Sequence, residues 1–160
     1  MSYTNSDGLQ VLTNGAAGVA KDEGTNAISA IKTLTVKIGD ATALGSSAAT
    51  PDDHDPFIPA GSYIKAATLN VTTAFTSGNS STTLGIGAYN QAGSAIDADG
   101  IDATIALTAL NATTKAVACN GALVAGAINV GAADAYIKAN YNTAVFTAGA
   151  ATLVIEYIEP

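Results

Sequence analysis

The stretch IKTLTVKI, residues 31–38, alternates without a break: Leu34, Val36 and Ile38 fall on one face, and Thr33, Thr35 and Lys37 on the other. A two-residue period marks a strand with one buried face, because successive side chains of an extended chain point to opposite sides. The phase recurs downstream. Leu69, Val71, Thr73 and Phe75 share a face with Asn70, Thr72 and Ala74 opposite, and in TTLGIGAY (82–89) Leu84, Ile86 and Ala88 alternate again. Two further strands, Ala135 to Tyr141 and Thr152 to Ile158, close the chain.

Turn chemistry separates these runs. Pro59 and Gly61 mark a turn before the strand that contains Leu69, and TSGNSS (76–81) is read as joining that strand to TTLGIGAY in a hairpin. Asn120-Gly121 is read as a second hairpin turn, between Ala116–Cys119 and Ala122–Val124. Asn90–Ser94 is another turn, and Gly39–Pro59, with Pro51 and Pro56, is a long loop, since proline lacks a ladder donor. AIDADGIDATIALTAL (95–110) fits either a short helix after Asp99 or an alternating strand through Ile105 and Leu107; a loop with one or two helical turns is the reading adopted. VFTAGAATLVIEYI from Val145 echoes IPAGSYIKAATLNV from Ile58, both running apolar, Ala-Gly turn, strand. Seven or eight short strands with turns between them predict an all-β fold, a single β-sandwich with jelly-roll topology. Residues 31–160 form that domain. Residues 1–30, poor in large apolar side chains, form an extended N-terminal arm, whose patch Leu9, Val11 and Leu12 either adds as a strand to a neighbour or frays as a terminus.

Composition narrows the function classes. At 160 residues and 48% hydrophobic content the chain can bury one core. Net charge is −7, from 13 acids against six lysines, and the chain contains no arginine. Nucleic-acid recognition leans on clustered Lys and Arg, so no nucleic-acid partner is expected. The uncharged run from Ala116 to Ala133 is broken by Asn120, Gly121, Gly126, Asn129 and Gly131, where a lipid-spanning helix needs about 20 mostly apolar residues. No membrane partner is expected. The start, MSYTNSDGLQ, lacks a basic segment followed by an apolar block, which predicts folding in a cytoplasm. Cys119, the one cysteine, is read as a small core residue.

Few residues arrange themselves for chemistry. Asp97, Asp99 and Asp102 around Gly100 resemble the start of a calcium loop, but the third aspartate is misplaced and a closing glutamate is absent, so a solvated acidic turn is favoured over calcium. Asp52, Asp53 and Asp55 surround the only histidine, His54, in a Pro-bounded loop read as exposed and charged. No nucleophile has a supporting base motif. A glycosidase needs only two carboxylates, yet no tryptophan is present to make a sugar platform. The chain is expected not to be an enzyme and to need no cofactor or metal. Gly85 and Gly87 sit inside a strand pattern, which points to close backbone approach and not to a dinucleotide loop.

IPAGSYIKAATLNVTTAFTSG (58–78), DADGID (97–102), GAADAYIKANYNTAVFTAG (131–149) and the terminal LVIEYIEP (153–160) together resemble small head decoration, or cement, proteins of tailed bacteriophages of marine and cyanobacterial type. The likeness runs from residue 58 to residue 160, about two-thirds of the chain, and lies in the style and order of segments. It implies a virion protein assembled in the infected cell, a homotrimer that binds the capsid exterior and bridges subunits of the major capsid protein. The alternative from another class is a receptor- or glycan-binding head of a phage fibre.

Overall fold

Alternation at residues 31–38 becomes an eight-residue strand, and seven further strands follow it into two packed sheets. The computed structural model describes residues 31–159 together with the paired backbone of two short strands, β1 (Ser2–Thr4) and β2 (Gln10–Leu12). The sandwich strands are β3 (Ile31–Ile38), β4 (Phe57–Ile58), β5 (Tyr63–Ser77), β6 (Thr83–Tyr89), β7 (Ala95–Ala106), β8 (Ala116–Ala118), β9 (Ala135–Asn142) and β10 (Phe146–Ile158). One sheet has the order β3-β10-β5-β8 and the other β4-β9-β6-β7, with every pair antiparallel. Eight strands in this order make a jelly roll.

Inward-facing residues fuse the two layers. Leu69, Val71, Phe75, Leu153 and Ile155 from the first sheet meet Leu84, Ile86, Ile101, Ile105 and Ile137 from the second, all buried. The rings of Phe75 and Phe146 pack edge to face with centroids 5.2 Å apart, an arrangement that adds about 0.5–1.5 kcal/mol to their area burial. The alternation read in β3, β5 and β6 therefore marks the core face. Thr73 departs from it and is exposed, at the place where the β5–β10 register shifts.

Sheet membership differs from the expectation in two places. TSGNSS does not close a hairpin: β5 pairs with β10 and β8, whereas β6 pairs with β7 and β9, so the turn crosses from one layer to the other. Thr82 and Ser81 donate backbone N–H groups to the main-chain and side-chain oxygens of Asn79, at 3.1 and 2.9 Å, which tightens the crossing. The second expected hairpin is also absent. Gly121 has φ −60°, and Ala122–Ala125 forms one helical turn, α2, instead of a return strand. The hairpin that joins neighbouring strands of the sandwich is β6–β7, through Asn90–Ser94.

Ala95–Leu110 resolves into strand β7 followed by the single helical turn α1 (Leu107–Leu110), so DADGID lies on a strand and not in a loop. Register shifts along β6–β7 let the β7 backbone arch over β6. A side chain at Gly87 would fall inside the backbone of Ala98, so the glycine pair marks close backbone approach. The Ala-Gly segment at 148–149 lies within β10, where Gly149 (φ +145°) lets the backbone pass against the ring of Phe75.

Candidate interaction surfaces

The register fixes which residues share the outer face of the β3-β10-β5-β8 sheet. Ile31, Ile158 and Tyr63 lie directly opposite one another across three strands, and below them come the rows Thr33, Glu156, Ala66, then Thr35, Val154, Thr68, Ala118, then Lys37, Thr152, Asn70, Ala116. A bulge in β5 leaves Lys65 as the extra residue between the Tyr157–Ile64 and Glu156–Ala66 pairs. Ile64 and Ala67 are buried while Lys65 and Ala66 are both exposed, so the bulge puts a lysine on the outer face. Ile31 is 51% exposed and Tyr63 43%. Both are large apolar groups placed where the alternation calls for polar ones. Ile128, 50% exposed, extends this end, since Asn129 bridges to Tyr63.

Charge divides between the layers. The first sheet and its flanks carry Lys32, Lys37, Lys65 and Lys115 against Asp40, Glu156 and Glu159. Lys32 binds Glu159 at 2.6 Å, and Lys115 Nζ donates to the Thr108 carbonyl and, at 2.7 Å, to Asn111 Oδ1. Lys37 and Lys65 have no side-chain partner among the described residues. The second sheet and its loops carry Asp52, Asp53, Asp55, Asp97, Asp99, Asp102 and Asp134 against Lys138 alone, and Lys138 is paired with Asp55. That ion pair is half-buried, and the ammonium holds the Asp55 carboxyl below the usual carboxylate range. It extends the β4–β9 register by continuing the chain opposite β9.

The residues singled out for metal do not converge. Asp97 and Asp99 are neighbours: burial, and then hydrogen bonding with Asp99, push the Asp97 carboxyl above its ordinary range. Asp102 instead points inward, is buried, and accepts from Thr104 N at 3.2 Å. Among the described residues no three His, Cys, Asp or Glu side chains gather to hold an ion. His54 is exposed, with Nδ1 4.0 Å from Asp52. Cys119 is buried, and burial followed by the nearby Asp102 charge pushes its thiol up to about 12. The Ala116–Ala133 run divides into β8, α2 and loops, and among the described residues no helix is long and apolar enough to cross a membrane. Leu9 lies outside the described residues. Val11 and Leu12 fall on β2, which pairs with β1, and their side chains too lie outside the description.

A cleft of about 670 Å³ opens between the two layers where β4 is only two residues long, lined by Val36, Ile38, Leu44, Ile137 and Leu153 with the Asp55–Lys138 pair. It holds no nucleophile beside a base. The face residues Tyr63, Ile31, Ile158 and Lys65 were not singled out in the sequence. The signal for two of them was present: an isoleucine on the polar phase at the first residue of β3 and at the last of β10.

No protein-family model matches the chain, and no curated protein matches it. Two solved structures do. A chain of the capsid of Ralstonia phage GP4 superposes with a TM-score of 0.55 at 12% identity, over 94% of this chain and 90% of that one. A chain of the cyanophage Pam1 capsid asymmetric unit superposes with a TM-score of 0.50 at 20% identity, over 100% of both. At these identities the likeness is one of fold. It spans the whole jelly roll and not a shared fragment of it.

Proposed function

We propose that this chain is a structural virion protein of a tailed phage, a decoration protein that binds the capsid exterior and bridges major capsid subunits as a homotrimer, without catalysis or cofactor. The observation that carries the reading is the end-to-end match in fold to chains from two phage capsids. Sequence features support it independently: the segments at 58–78, 97–102, 131–149 and 153–160 resemble cement proteins, and the chain lacks arginine. A ligand that binds only the assembled shell stabilises that shell by mass action, so no chemistry is required of it.

The test is quantitative mass spectrometry of purified virions of the encoding phage, with copy number scaled to the major capsid protein. One trimer per local threefold position is the expected result. A handful of copies per particle would overturn it in favour of a fibre head that binds receptor or glycan, and absence from the particle would remove the virion role altogether.

A further inference from the structure

We infer that the outer face of the β3-β10-β5-β8 sheet is the docking surface and that it fits a flat, acidic protein surface on the shell, with the aspartate-rich sheet turned away from it. The inference rests on the virion reading above and adds to it the face and the chemistry of the partner.

Three features meet on this face. Apart from Glu156, Lys37 and Lys65 its side chains are short, mostly Thr and Ala with Val154 and Asn70, so most of the face is flat and loses little rotamer freedom on contact. One end carries the row Ile31, Ile158 and Tyr63, in which Ile31 and Tyr63 are exposed and Ile158 between them is half-buried, so an aromatic and a β-branched side chain are offered as an interface anchor. Lys65 beside this row and Lys37 three rows away are the two cations left without partners on the described surface, and the same face carries one exposed carboxylate, Glu156, also without a side-chain partner among the described residues. An acidic partner would gain from two lysines against the single carboxylate Glu156 on this face, and would be repelled by Asp52, Asp53, Asp97, Asp99 and Asp134 on the other side. One orientation is thereby attracted and the reverse is penalised.

A second copy is the weaker occupant. Its acidic face is complementary in charge, but the two faces lie on opposite sides of the sandwich, so repeated contact would build an open stack and not a closed assembly. The area also constrains the partner. Three long strands about 4.8 Å apart and roughly eight residues long at about 3.3 Å each present on the order of 400 Å². That is about half of the roughly 800 Å² per partner in a stable interface. A single copy therefore binds weakly, and several copies held together bind through avidity.

The experiment is cosedimentation of the purified full chain with capsid shells of the encoding phage from which it has been stripped. Lys37→Glu/Lys65→Glu should weaken loading by roughly tenfold or more and flatten its salt dependence, and Tyr63→Ala should weaken it by about tenfold with a smaller change in salt dependence. Asp99→Lys, on the opposite sheet, should load within about twofold of the parent, as a residue remote from the contact should. Unchanged melting temperatures would exclude misfolding as the cause. If the parent chain fails to bind shells at all, the virion reading falls. If the parent binds and the double glutamate variant binds equally well, the docking face is wrong and this inference falls alone; abolished loading by Asp99→Lys would place the contact on the opposite sheet. Loss of self-association in the double variant, with shell loading intact, would assign the face to a second copy and likewise overturn it.

Discussion

Cys119 is kept protonated by its surroundings: burial and the Asp102 charge push the thiol up to about 12, far from where a thiolate forms at neutral pH. Since the thiolate is the reactive species, alkylation of the folded chain at pH 8 should run on the order of a thousandfold slower than in denaturant, where the pKa returns to about 8.5. Timed iodoacetamide labelling read by mass spectrometry measures this, and rapid labelling of the native chain would contradict the buried assignment. Asp55 has the opposite character. Its folded pKa lies below the unfolded value because Lys138 hydrogen-bonds the carboxylate, so its contribution is complete above about pH 4 and is lost as pH falls through the folded value. Asp55→Asn should cost about 1 kcal/mol at pH 7, and the gap between parent and variant should narrow progressively in urea titrations carried below about pH 4. Asp97 works against that trend. Its raised pKa means that the folded state takes up this proton first, so acid relieves a strain there while it removes the Asp55 bridge.

At the scale of elements, β6 and β7 depend on glycine where one backbone crosses another. Gly87→Ala would drive a methyl into the Ala98 backbone and should destabilise the fold by about 1–3 kcal/mol. Gly78→Ala, with open space around it, should change stability by less than about 0.5 kcal/mol. Thermal melts of the two variants side by side separate a close-approach requirement from a general loss of chain flexibility. The close approach was legible in LGIGAY, because paired glycines on a strand pattern have few other uses. So were β3, the inward phase of β5 and β6, and the two closing strands, all of which follow from local alternation. Sheet membership was not. A polar turn such as TSGNSS fits a hairpin and a layer crossing equally well, and only the pairing of β5 with β10, far along the chain, decides between them. Tertiary pairing also made DADGID a strand, since β7 gains a ladder with β6 that outweighs the turn propensity of Asp and Gly. The candidate docking face was hidden for a related reason. Lys65 reaches it through a bulge that breaks the two-residue period, and the segregation of lysines from aspartates appears only once each strand is assigned to a layer.

At the scale of the whole molecule, the first and last strands of the sandwich are neighbours: Ile31 pairs with Ile158 and Ile38 with Ala151, so the sheet is complete only when β10 arrives. Most connections cross between layers, which makes the native pairings long-range and the fold one cooperative unit. The domain boundary at residue 31 then has a direct test. A chain of residues 31–160 contains every strand of both sheets, and it should unfold in a single thermal transition within about 4 °C of the full chain, corresponding to about 1 kcal/mol or less. A chain beginning at Gly39 lacks β3, exposes one edge of β10 and uncovers Leu153 and Ile155, whose burial is each worth roughly 1.5–3 kcal/mol. It should not fold. If residues 31–160 also fail to give a cooperative transition, the first 30 residues belong to the folding unit and the boundary lies upstream. If they fold but load onto shells more weakly than the full chain, the arm contributes to binding without contributing to the sandwich.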